Sequence, residues 1–99
     1  MKHAIIIIMK SRAHLIIEGK VQGVYFRAFT KEVAESLGLT GWVRNLPNRC
    51  VEAVFEGEKD IIEIAARKCY AGPPFAMVTN IDLRWEDEFE GFSDFRIRY

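Results

Sequence analysis

The sequence predicts an α+β protein of the ferredoxin-like (split βαβ) kind, an antiparallel sheet with two helices on one face. Three observations lead there. Stretches of apolar–polar alternation and stretches of helical periodicity follow one another as β, α, β, β, α, β and a terminal strand. Glycine and proline separate these stretches at Gly19, Gly23, Gly38, Pro47 and Gly72-Pro73-Pro74. Finally, 99 residues of which 49% are apolar and 28% charged suit one soluble domain with a modest core, and leave no room for a second.

Residues 1–11 precede that pattern as an N-terminal extension, and residues 12–99 carry the domain. The apolar run at residues 4–9 is too short to span a bilayer and shorter than the apolar part of a usual export signal. Its β-branched content predicts an extra strand or a lengthening of the first one. A monomer is expected, and the alternative role for this arm is a sticky edge through which two copies associate. Met9 is an alternative start.

In the first strand, Ala13, Leu15 and Ile17 alternate with His14, Ile16 and Glu18. Phe26, Phe29, Val33 and Leu37 then recur at helical spacing, which predicts a helix over residues 27–37 that Gly38 ends. Residues 41–46 read as a strand with Val43 and Asn45 on one face and Trp42 and Arg44 on the other, followed by a turn at Pro47-Asn48-Arg49. A third strand over residues 50–56 turns Val51, Ala53 and Phe55 inward. The second helix, residues 58–70, has the stripe Ile61, Ile62, Ala65, Ala66 and Cys69. Ile81, Leu83 and Trp85 mark a fourth strand; an acidic turn follows at residues 86–91, and Phe95, Ile97 and Tyr99 alternate in the last strand.

Between first strand and first helix lies Gly19-Lys20-Val21-Gln22-Gly23-Val24-Tyr25-Phe26-Arg27. A helix N-terminus offers backbone N–H groups without intrahelical partners and the positive end of the helix dipole, which favours a phosphate-like anion. Gly23 lets successive amides converge, and Arg27 adds a planar, permanently charged fork that holds two oxygens of a tetrahedral anion. Taken alone, such a loop is equally an ordinary strand-to-helix connection with a surface arginine.

The remaining inventory excludes several chemistries. Fourteen basic and fourteen acidic side chains cancel, so no broad positive field draws nucleic acid or an anionic membrane. No RNP-type motif is present, against an RNA-binding sandwich of the same topology. Cys50 and Cys69 lack metal-ligand spacing, fall on different faces, and read as reduced thiols of a cytoplasmic protein. Neither His3 nor His14, nor Ser11, Ser36 or Ser93, has a partner suited to nucleophilic catalysis. Neither a metal nor a cofactor is expected.

GKVQGVYFR at residues 19–27 resembles the signature loop of the acylphosphatase family, and GWVRN at residues 41–45 resembles that family's second signature. With VEAVFEG, GPP and FSDFRI downstream, the resemblance runs from Arg12 to the C-terminus. It implies the same fold and a metal-independent hydrolysis of acyl phosphates to a carboxylate and inorganic phosphate. The backbone amides of Gln22, Gly23, Val24, Tyr25, Phe26 and Arg27, with the Arg27 side chain, are implied to bind the phosphoryl group. Asn45 is implied to orient the attacking water. Inorganic phosphate or sulfate would then compete with substrate. The family's hairpin commonly contains a glycine where this chain has Pro47-Asn48-Arg49, so Asn48 is expected to supply any left-handed conformation. Because a similar fold also occurs as a module of larger carbamoyl-transfer proteins, the alternative function is a catalytically silent anion-binding or regulatory domain.

Overall fold

A computed structural model describes residues 10–99; the expectations for residues 1–9 lie outside that range. The elements are β1 (Lys10–Lys20), α1 (Phe26–Ser36), β2 (Thr40–Asn45), β3 (Val51–Glu58), α2 (Lys59–Ala71), β4 (Met77–Glu86) and β5 (Phe95–Arg98). Lys10 and Ser11, placed by the sequence in the extension, pair with Glu58 and Gly57 as part of β1.

The strand order is β4-β1-β3-β2-β5. Four strands form the expected antiparallel sheet, and β5 adds to its edge parallel to β2, with Val43 opposite Ile97. With β4 on the opposite edge, the chain must cross the end of the sheet to reach β2, which gives β5 its parallel direction. Ala13, Leu15 and Ile17 of β1, Val43 of β2 and Val51, Ala53 and Phe55 of β3 all face the helices and are buried. Against them pack Phe26, Val33 and Ala34 of α1 and Ile62, Ala65 and Cys69 of α2. Burying each large apolar side chain is worth roughly 1.5–3 kcal/mol.

Cys69 and Thr30 join the two helices deep in this layer. Burial pushes the Cys69 thiol up to about 12, with the Thr30 hydroxyl opposing that shift, so the group stays a protonated, unreactive thiol. Both cysteines are free, as the sequence led us to expect. Helix α1 stops in a two-bond cap: Leu39 N–H donates to Ala34 O at 2.9 Å and Gly38 N–H to Glu35 O at 3.2 Å, with Gly38 at φ 69°.

The β2–β3 hairpin departs from expectation. Arg49, not Asn48, is left-handed, at φ 73°. Asn48 instead accepts the Cys50 N–H through its side-chain oxygen at 3.1 Å, while Arg49 N–H donates to Leu46 O at 3.2 Å. The turn thus closes over Pro47 and Asn48, and the left-handed position falls one residue later, where glycine is usual. Arg49→Gly is expected to stabilise the fold by roughly 0.5–1 kcal/mol, the relief of left-handed strain exceeding the entropy gained by the unfolded chain. Thermal unfolding measures this.

On the helix-free face, the buried Glu56 carboxylate accepts Glu90 N–H at 2.8 Å, Gly91 N–H at 3.0 Å and Arg12 Nη1 at 2.9 Å, so it ties down the segment leading to β5. Burial pushes this carboxyl up, but the Glu90 amide, the Arg12 guanidinium and the Gly91 amide outweigh it and hold it below the usual carboxylate range. Glu52 is also depressed: burial raises it, and His14 and Arg44 more than compensate. A carboxyl whose folded pKa lies below its unfolded one stabilises the fold above the ordinary carboxylate range, and that stabilisation drains away as pH falls through the folded value. Glu56→Gln should therefore cost about 2–3 kcal/mol at neutral pH and make the acid limb of a Tm-versus-pH curve shallower. An unchanged acid limb would exclude Glu56 as a source of acid sensitivity.

Candidate active site

Strand β1 enters the loop through a register shift between Glu18 and Gly19 in its pairing with β4. A β-carbon at Gly19 would collide with the Met77 carbonyl oxygen, so only glycine lets the two backbones approach this closely. Gly23, at φ 72°, has open space around it, so its requirement is conformational and not steric. Tyr25 is also left-handed, at φ 69°, and serves as the N-cap of α1 without any side-chain cap. Alternating left-handed residues turn successive amides toward one side, as in an anion nest.

No acidic residue lies in the first turn of α1, so the positive end of the helix is neither capped by a side chain nor neutralised by a carboxylate. The first bond at this end is Phe29 N–H to Tyr25 O at 3.0 Å, which leaves the amides of Phe26, Arg27 and Ala28 at positions that helix geometry cannot satisfy. Phe26 anchors the turn, with its ring buried against the core and 6.1 Å from that of Phe29. The half-buried Arg27 follows directly and lies on the cavity side.

Asn45 reaches the same place from the sheet. It shares the helix-facing side of β2 with Val43, and its backbone pairs with buried Val51. Its Oδ1 is buried and has no hydrogen-bond partner. A buried acceptor left in this condition costs about 1–3 kcal/mol, which makes it a strong attractor for a donor such as water. Together, Gly23, Tyr25, Phe26, Arg27 and Asn45 line a cavity of about 180 Å³. The two signature motifs thus meet at one end of the sheet.

Two of the expected loop residues do not line that cavity. Gln22 turns its side chain to the hairpin, donating from Nε2 to Leu46 O and Cys50 O at 2.8 Å each, and so locks the loop to the end of β2. Val24 packs against the core. Neither side chain faces the cavity, so the expectation of anion binding at these two positions rests on their backbone amides alone. Tyr25 is exposed and donates its hydroxyl to Glu32 at 3.2 Å. Trp42 and Arg44 lie on the helix-free face, where the guanidinium groups of Arg44 and Arg98 sit 5.3 and 4.5 Å from the Trp42 ring.

The sequence did not identify Val21, Ala28, Ile97 and Tyr99 as part of the wall. The Tyr99 ring stands 4.9 Å from the Arg27 guanidinium carbon, close enough for a cation–π contact. Alternation placed Ile97 and Tyr99 on one face, but only the parallel pairing of β5 with β2 brings them beside Asn45. Among the described residues, no group of three or more His, Cys, Asp or Glu side chains could hold a metal ion, and no helix is long and apolar enough to cross a membrane.

Comparison with known proteins adds an independent line. The family model described as Acylphosphatase matches residues 13–97. An acylphosphatase of Pelotomaculum thermopropionicum is 47% identical over 90 residues, spanning 91% of this chain and 98% of that protein. The solved acylphosphatase of Coxiella burnetii superimposes with a TM-score of 0.85 at 44% identity, over 90% of this chain and 93% of that one. For the acylphosphatase of Bacillus subtilis the TM-score is 0.88 at 34% identity, over 92% and 100% of the two chains.

Proposed function

Because the chain belongs to the acylphosphatase family, and is thereby a hydrolase of acyl phosphates, we propose a mechanism in which Arg27 and the loop amides hold the phosphoryl group while Asn45 positions the attacking water. The observation that carries this reading is the unpartnered, buried Asn45 Oδ1 in the cavity that Arg27 also lines.

An acyl phosphate is a mixed anhydride with a good carboxylate leaving group, so the enzyme need only orient the reactants and stabilise charge on the phosphoryl oxygens. Arg27 supplies a two-pronged, permanent charge, and the uncapped amides of α1 supply the rest. Asn45 accepts a hydrogen bond from the water through Oδ1, so that the water oxygen faces phosphorus in line with the departing carboxylate. The new P–O bond forms as the acyl P–O bond breaks, and that electron pair leaves on the carboxylate. Asn45 does not titrate near neutrality, so the proton lost by the water passes to a phosphoryl oxygen of the substrate.

Free inorganic phosphate or sulfate occupies the same cradle as a competing ligand in this reading. The protein works as a cytoplasmic monomer, with residues 1–11 as the segment through which any self-association would run. Phosphate release from acetyl phosphate and benzoyl phosphate tests the activity. Turnover is expected to survive a chelator, because the electrostatic work falls to Arg27 and backbone N–H groups. Loss of activity that Mg²⁺ restores would contradict the mechanism. Phosphate binding without any turnover would mark a silent anion-binding domain instead.

A further inference from the structure

The end of the sheet far from the catalytic loop carries a groove of its own. There Lys10 opens β1 opposite Glu58, β3 hands directly to α2 at Lys59, and β4 ends with Glu86 opposite Arg12. Beyond Lys10, therefore, no strand among the described residues is left to pair with a lengthened β1. Yet the chain ahead of Lys10 is the apolar run Ala-Ile-Ile-Ile-Ile-Met at residues 4–9. Such a run gains most by covering apolar surface near the point where it joins the domain.

Lys10 stands among aromatic side chains. On one side it lines a space of about 190 Å³ with Trp85 and Phe89; on the other, a groove of about 470 Å³ with Gly38, Thr40, Gly57, Phe89 and Phe92. Phe89 is 48% exposed and Trp85 40%. Lys59 sits 5.0 Å from the Trp85 ring and Arg12 5.9 Å from that of Phe92, but Phe89 has no such neighbour among the described residues. Contiguous exposed apolar surface of this kind marks a place where something docks. Charge narrows the occupant. The turn between β4 and β5 carries Glu86, Asp87, Glu88 and Glu90; Arg12 pairs with Glu86 and Glu90, while Asp87 and Glu88 join no ion pair found among the described residues. Residues 1–9 hold Lys2 and His3 and no acid.

We propose that residues 4–9 dock in the groove beside Phe89 and Phe92 of their own chain, with Lys2 set against Asp87 and Glu88. The stretch from Lys2 to Lys10 spans at most roughly 28 Å, ample for a basic residue to reach the turn that Lys10 already adjoins. The covalent join at Lys10 gives the segment a high effective concentration at its own groove, so docking within one copy prevails over docking between copies. Docked in this way, the apolar run is withdrawn from strand pairing with other chains. Thr40 lines this groove and Asn45 the catalytic cavity, at opposite ends of β2, so the docked segment supports the fold without touching the reaction.

A double-mutant cycle in the full chain tests this, with Phe89→Ser as one change and serine in place of all four isoleucines at residues 5–8 as the other. Each change alone is expected to lower Tm by about 4–8 °C. Together they should lower it little further, because each removes the same contact. Phe89→Leu should largely keep the parent Tm, since an apolar side chain still fills the groove. Asp87→Asn with Glu88→Gln should lower Tm slightly at low salt and not at high salt. The parent should elute as a monomer, with a Tm independent of protein concentration.

Additive losses would overturn the proposal, because Phe89 and the isoleucines would then act independently. So would a four-serine variant with the parent Tm. A parent whose Tm and elution volume change with concentration, and a four-serine variant whose do not, would place the segment on a second copy and contradict docking within one chain.

Discussion

Asn45→Ala is expected to lower kcat by on the order of 10²–10³ while leaving inhibition by inorganic phosphate close to that of the parent. The split follows from what each group touches. In the proposed mechanism Arg27 meets charge that is present in substrate, transition state and product alike, whereas Asn45 acts on a neutral water whose alignment matters most during attack. Removing Asn45 also removes a buried, unpartnered acceptor, so the fold should not suffer, and the kinetic loss can be read without an unfolding artefact. Asn45→Asp is a sharper variant. It keeps the size but sets a negative charge beside the phosphoryl anion, so phosphate should bind more weakly and turnover should still fail. Steady-state kinetics with phosphate as inhibitor separates the two effects. A parent-like rate in a folded Asn45→Ala protein would reduce Asn45 to a strand-end residue.

Arg27→Lys should lose both phosphate affinity and turnover, with kcat/KM falling by on the order of 10²–10³. Lysine retains the charge but offers a point donor on a flexible stem, and it cannot grip two oxygens in one plane. It would also give up the planar guanidinium's contact with the Tyr99 ring. Near-normal kinetics for Arg27→Lys would mean that the α1 amides suffice to hold the phosphoryl group.

The site was legible where it depended on periodicity. Alternation in β2 put Asn45 on the side of Val43, and the helical spacing of Phe26, Phe29 and Val33 put the α1 N-terminus after Gly23. Those two facts bring Arg27 and Asn45 together in any sandwich of this order. What escaped depended on strand placement and on individual side-chain choices. The tail showed Phe95, Ile97 and Tyr99 on one face, yet alternation does not say which edge a last strand joins, so the Tyr99 contact with Arg27 stayed invisible. Gln22 read as one more backbone amide of the loop, and nothing in the sequence announced that two backbone carbonyls at the end of the hairpin would claim its side chain. Asn48 is the better left-handed residue by propensity, yet its side chain bonded to Cys50 N–H and the strain moved to Arg49. Alternation in β3 puts Glu56 opposite the inward Val51, Ala53 and Phe55, but it does not show that the chain crossing to β5 buries that carboxylate under two amides and a guanidinium.

The central claim is that water attacks phosphorus, held by Arg27 and the loop amides, and not the acyl carbon. Hydrolysis of benzoyl phosphate in heavy-oxygen-labelled water tests it in one measurement, because the label marks the atom that was attacked. The expected result is one labelled oxygen in the released inorganic phosphate and none in benzoate. Label in the benzoate would place the attack on the carbonyl carbon and contradict the roles of Arg27 as phosphoryl clamp and Asn45 as water positioner.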